Sequence, residues 1–492
     1  MKAGKIVLRI LKIFGVVVLV LVGLVLLPLL IGFIVDLAVT PQWNEAQKES
    51  VDYFAKLRSE KYSSVPLSFV TLDGNAWDYY ARASKEITDR SSILDVRLGK
   101  DSLEISRAES LVQKYEKAFA LFDSGACCRY YYIPIDYRKG SAKPLLIGNI
   151  ESLLRLAIIK GRLEQAKGAN RTASEIYSKA LKMSGEVGNA GEVHAANMLG
   201  ADISPGGNIF VGRMVGIILG DVARYQISSD LNLFDLESVI LLKEAVTQLE
   251  QNWPPLDSAV EAKGRLLLLP SVSGWDGSDF TSIWFASDSL AEPAHYTISI
   301  IFADINSWDL PSFARKPVYT AHKRVMFSLM AWRHLFSVRK STRYGVQRLF
   351  DLAKSYRNNT DKRWVSMQAL VKKAEDAELD EFRKGEASGL VAYASHFWIY
   401  TNYYEDQFRT RVLKSALWLR EYKLKHKKYP EPLVTFLASD TAYYDLADNK
   451  PLHFVRDSIN QTIRLYSVGL NMKDEQGKSS WSEPDDIWIE LK

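Results

Sequence analysis

The chain has 492 residues, 47% of them hydrophobic and 25% charged, a globular composition with core enough for two to four domains. Its formal net charge is +5, and Lys2, Lys5, Arg9 and Lys12 supply four of those charges, leaving +1 for everything after them. So nearly neutral a folded part lacks the spread basic surface of a nucleic-acid binder, and no nucleic-acid partner is expected.

Residues 13–35, IFGVVVLVLVGLVLLPLLIGFIV, carry no charge over 23 positions. A helix rising ~1.5 Å per residue spans roughly 35 Å there, enough for a hydrocarbon core of about 30 Å. The run outlasts the ~7–15-residue apolar region of a cleaved signal peptide. Neither an A-x-A site nor a lipobox cysteine follows it. It is expected to be an uncleaved anchor, with Pro28 a kink that lipid-embedded helices tolerate. Basic residues before it and Asp36 and Glu45 after it put residues 1–12 in the cytoplasm and 36–492 across the membrane. In a Gram-negative cell that is an inner-membrane protein with its bulk in the periplasm.

Beyond the anchor, residues 41–60 read as a helix leaving the membrane. A second helix is expected over 74–90, with Ala76, Tyr79, Tyr80 and Ala83 at helical spacing. The stretch 127–140, CCRYYYIPIDYRKG, breaks that periodicity and reads as extended or loop. Its Cys127 and Cys128 are adjacent, and Cα atoms ~3.8 Å apart make a vicinal bridge strained, so two thiols are expected. Over 145–184, Gly161, Gly168, Ala173, Tyr177 and Ala180 have the spacing of a tetratricopeptide-type helical hairpin, with Tyr177 filling the groove between close-packed helices. Ala157 and Glu164 depart from that pattern, so one or two such hairpins are expected inside a larger helical region. Residues 197–221 read as a Pro-Gly-Gly turn and a packed helix, because Arg213 and Asp221 bracket too few residues to cross a bilayer. Residues 270–312, with Gly274, Gly277, Pro293 and Pro311, are the most loop-like. From 321 to 373, thirteen Lys or Arg face only Asp351 and Asp361, and Val325, Leu329, Trp332 and Phe336 form an apolar helical stripe.

The C-terminal part opens with a helix over 409–428, with Leu413, Ala416, Leu417 and Leu424 on its buried side and Pro430 stopping it. Strands are expected at 452–456, 462–468 and 486–491, the last with Ile487, Ile489 and Leu491 alternating. The expected fold is mainly α: anchor 13–35, a hairpin-rich helical domain 36–404, and a small α+β module 405–492.

That C-terminal order resembles the globular head of type II secretion major pseudopilins over roughly the last 85 residues. The matching positions are Tyr422, Tyr429, Pro430, Pro451, Phe454, Ser467, Gly469, Asp485, Asp486 and Ile487. The N-terminus lacks the pseudopilin leader-peptidase site and the Glu that follows it, so the resemblance reaches the head alone. The whole chain is also similar to a group of bacterial membrane-anchored proteins sharing an anchor, the helix with Asn75, Ala76, Tyr80 and Ala83, and the segment with Cys128, Asp136, Tyr137 and Gly140. No activity follows from that similarity.

Chemistry is sparse in the sequence. The seven histidines form no metal-binding spacing, and no G-x-S-x-G elbow or phosphate-cradling loop occurs. Lone histidines such as His453 read as packed or surface groups. Calcium needs six to eight oxygens, several from carboxylates. The tail loop 471–486 offers Asn471, Asp474, Glu475, Asp485 and Asp486. Major pseudopilins hold calcium there, and the resemblance implies Asn471, Asp474, Asp485 and Asp486 as ligands. A solvated acidic loop is the other reading. The functional expectation is a non-catalytic anchored envelope protein that docks an undefined protein partner. An envelope hydrolase using Asp276 and Asp279, and an accessory of a secretion or pilus-like machine, are the alternatives.

Overall fold

The computed structural model describes residues 44–53, 62–63, 67–97, 104–131, 147–189, 211–252, 256–267, 350–358, 364–370, 395–440, 443–457, 461–477 and 486–492, with a few isolated positions besides. The expected anchor, Gly15 apart, lies outside them, as do Asp276, Asp279, the stripe Val325 to Phe336 and Asp485. Among the described residues no helix is long and apolar enough to cross a membrane. The chain is mostly helical, with a small C-terminal sheet.

The N-terminal part is a mixed sheet backed by helices. Strands β1 (Tyr62–Ser63) and β2 (Leu72–Asn75) flank β3 (Cys128–Tyr131), β1 antiparallel and β2 parallel to it. Helix α1 (Ala76–Glu86) starts where the Asn75 side chain accepts the Trp77 amide N–H at 3.2 Å. That cap makes Gly74 and Asn75 strand rather than helix, two residues later than the sequence suggested. Short helix α2 (Arg90–Leu94) and helices α3 (Ile105–Lys114) and α4 (Glu116–Ala126) follow. Neither cysteine is in a disulfide, and burial pushes the Cys128 thiol up to about 11.

Helices α5 (Ile147–Ala166) and α6 (Asn170–Asn189) form the expected hairpin, turned by Gly168 at φ +81°. A Cβ on Gly161 would lie 2.4 Å from Tyr177 Cε1, so the glycine is what admits the ring. A second hairpin joins α7 (Val211–Asp230) through a 3-10 turn (Leu231–Leu233) to α8 (Leu236–Asn252), followed by α9 (Leu256–Leu267). As expected, α7 is packed rather than spanning: Ile217, Leu219, Ala223 and Ile227 are buried, and it continues nine residues past Asp221.

Three buried polar contacts tie the helices of this array together, as burial favours. Tyr80 donates to Glu186 Oε2 at 2.9 Å and Lys182 donates to Glu186 Oε1 at 2.5 Å, tying α1 to α6. Tyr177 donates to Asp230 at 3.3 Å, tying α6 to α7.

Helix α10 (Ser395–His426) spans 32 residues, well beyond the expected start at 409. Phe408, Val412, Leu413, Ala416 and Leu417 are buried on it. Arg224 of α7 pairs with its buried Asp406, while Arg411 and Lys414 hold Glu250 of α8 at 2.7 and 2.5 Å. After helix α11 (Leu433–Ala438), strands β4 (His453–Asp457), β5 (Thr462–Ser467) and β6 (Ile487–Leu491) form an antiparallel meander in that order. The three strands fall within a residue or so of their expected positions.

Candidate metal centre

The pleat gives this sheet two faces. Ile463, Leu465, Ile489 and Leu491 are buried with the α10 residues in the core. Cross-strand pairing puts His453 opposite Tyr466, and Tyr466 opposite Trp488, on the other face. The segment 470–477 folds over that face. Tyr466 donates to Asp474 Oδ1 at 2.9 Å, and Arg464 donates to the Gly477 carbonyl at 3.1 Å while its guanidinium sits 4.7 Å over the Trp488 ring. Gly477 has φ +67°, and a Cβ there would meet Arg464 Cδ at 2.7 Å, so this turn requires glycine.

The turn 443–452 supplies the second wall. Asp445 is almost fully buried and accepts from Ser467 Oγ at 2.7 Å, the Val468 amide at 2.8 Å and the Ala447 amide at 2.9 Å. Burial pushes its carboxyl up, and these donors hold it down. Asp448 Oδ2 lies 3.4 Å from His453 Nε2 and 3.3 Å from Lys450 Nζ. The other imidazole nitrogen, Nδ1, faces Asp474 Oδ2 at 3.6 Å, and the ring lies against Tyr466 with centroids 5.4 Å apart.

The tail residues read from sequence as ligands divide between separate tasks. Asn471 accepts the Lys473 amide at 2.8 Å and donates to Glu475 Oε1 at 3.0 Å. Asp474 is taken by Tyr466, the Gln476 amide and His453, and these neighbours hold its carboxyl low against partial burial. Asp486 Oδ2 accepts the Gly477 amide at 2.7 Å, closing the loop onto β6. Its Oδ1 and Glu475 Oε2 are buried and find no hydrogen-bond donor among the described residues, and the two carboxyls lie against each other. Burial, reinforced by Glu475 and Asp474 and opposed by the Gly477 N–H, pushes the Asp486 carboxyl up to about 6.

Among the described residues, the set of three Asp, Glu, His or Cys ligands that converges within 4.8 Å is Asp445, Asp448 and His453. Sequence reading passed over these because their convergence depends on the turn 443–452 and not on spacing. The one local signal was the five-residue step from Asp448 to His453 across Pro451. A carboxylate pair and an imidazole in this arrangement are suited to holding a cation. No known protein family, curated protein or solved structure matches the chain.

Proposed function

We propose that this chain is a single-pass, membrane-anchored envelope protein with a non-catalytic docking role, its N-terminus cytoplasmic and its bulk periplasmic. The carrying observation is the uncharged run 13–35 behind Lys2, Lys5, Arg9 and Lys12. Two stacked helical hairpins, α5–α6 and α7–α8, support the docking role, because arrays of this kind present extended surfaces to protein partners. Fusion of alkaline phosphatase or green fluorescent protein after residue 492 tests the topology. An active phosphatase fusion and a dark fluorescent one are expected, and the reverse pair sinks the reading. Crosslinking in envelopes followed by pull-down is expected to recover a specific partner. Recovery of the chain alone would count against docking.

A second reading places calcium in the tail loop, as the resemblance to the pseudopilin head implies. It is supported by the facing buried carboxyls of Asp486 and Glu475, two oxygens of which find no hydrogen-bond donor among the described residues and which a cation would satisfy. Millimolar calcium is then expected to raise the melting temperature of the full chain and to leave that of Asp486→Asn unmoved. An unresponsive wild type removes calcium from the loop.

A further inference from the structure

The convergence of Asp445, Asp448 and His453 lies in the turn 443–452 and the start of β4, apart from the Asp486–Glu475 contact. We propose that these three residues bind a divalent first-row transition metal of the zinc and manganese class, with Asp474 as the carboxylate that orients the imidazole.

The donor set sets the class. One imidazole nitrogen with two carboxylate oxygens suits borderline metals, whereas calcium and magnesium take oxygen alone. The spacing agrees. Two bonds of about 2.1 Å at a tetrahedral angle put ligand atoms roughly 3.4 Å apart, and His453 Nε2 stands 3.4 Å from Asp448 Oδ2. A metal-bound histidine presents its second N–H to a carboxylate, which selects the tautomer and raises the ring's basicity. Asp474 occupies that position, at 3.6 Å from Nδ1, and is itself held by the Tyr466 hydroxyl and the Gln476 amide.

Charge points the same way. Asp445, Asp448 and Asp474 bring three negative charges to this corner. The facing cation among the described residues, Lys450, pairs with Asp448 and adds its charge near Asp474, and its side chain is 69% exposed. Two negative charges remain, which one divalent ion neutralises. Asp445 makes the deficit costly: it is 1% exposed and has no cation at ion-pair distance among the described residues. Its Oδ2 accepts a single hydrogen bond, from Val468, so a lone pair remains for a metal. Three protein ligands leave further coordination positions to water. Bound there, the ion would pin the turn 443–452 to β4 and, through Asp474, to the loop over the sheet.

The test uses the full-length protein, solubilised in detergent and stripped with chelator, titrated with Co²⁺ and then with Zn²⁺. One Co²⁺ per chain with visible d–d bands is expected, and Zn²⁺ should displace it. His453→Ala should abolish the bands. Asp474→Asn should keep the stoichiometry and weaken affinity about 10- to 100-fold. His426→Ala, whose ring packs on Tyr422 of α10, should leave the titration unchanged. If His453→Ala fails to fold by near-UV circular dichroism, the isosteric Asp448→Asn carries the same readout. Absence of bands in the wild type overturns the proposal. So do bands that persist in whichever of these two ligand variants folds, or Ca²⁺ displacing Co²⁺ at equal concentration.

Discussion

Gly216 decides how closely α7 crosses α6. A Cβ there would stand 2.3 Å from Gly188 Cα and 3.0 Å from the Ser184 carbonyl, and backbone cannot step aside as a side chain can. Gly216→Ala is therefore expected to destabilise the fold by about 1–3 kcal/mol, the usual cost of overpacking. Thermal denaturation followed by near-UV circular dichroism measures it, and an unchanged transition would mean that the crossing is looser than this. Gly161 and Tyr177 were legible as a pair in the sequence, because small-residue spacing along two helices translates directly into a close crossing. Gly188 and Gly216 were not, since the segment between their helices hides which faces meet. The surroundings of His453 were not legible for a similar reason: its partners Asp448 and Asp474 reach it across a turn and a loop, and no fixed spacing announces either.

Among the elements, α10 differs most from its sequence reading. Its second half has a plain apolar stripe, but in the first half the packing centres on aromatic rings, with Tyr404 touching Tyr403, Phe408 and Trp364, and no plain stripe marks it. Tertiary packing supplies the helix there, as it routinely does. The buried Arg224–Asp406 pair joins this half to α7. Burial lifts the Asp406 carboxyl from its ordinary 3.8 to about 6, with Arg224 opposing the rise. The native state thus holds a proton that the unfolded chain has released between those values. This stabilises the fold fully below pH about 3.8, and the contribution is lost as pH rises through about 6. A contribution on the order of 2 kcal/mol is at stake. Asp406→Asn cannot titrate, so the wild type's stability relative to this variant should decline by that amount between pH 4 and 7 in denaturant unfolding. A difference flat across that range would show that Asp406 stays ionised beside Arg224.

On the scale of the whole molecule, the C-terminal sheet is mounted on the helical array rather than appended to it. Helix α10 runs unbroken through residues 404 and 405 and serves both. The Trp364 indole N–H donates to the Leu470 carbonyl at 2.9 Å. Asn232, in the turn between α7 and α8, donates to the Glu490 carbonyl at 3.1 Å and accepts the Lys492 amide at 2.8 Å. Its amide thus pairs with the outer edge of β6 as a neighbouring strand would, covering groups that otherwise invite pairing with another chain. Asn232→Ala should cost about 1 kcal/mol and speed hydrogen exchange at the Lys492 amide. Unaltered exchange there would mean that the edge is protected by something else.

Sequence alone determined the helical class, the hairpin around Gly161 and Tyr177, the three C-terminal strands and the expectation of an anchor at 13–35. All of these follow from local periodicity and from small or turn residues at short range, which the chain carries in plain order. Only the tertiary structure decided that α10 reaches back to Ser395, that Asn232 closes the edge of β6, and that Asp445, Asp448 and His453 meet while Asp474 turns toward the imidazole. Those outcomes depend on which surfaces come together over long loops, and a contact between residues far apart in the chain leaves no period to read.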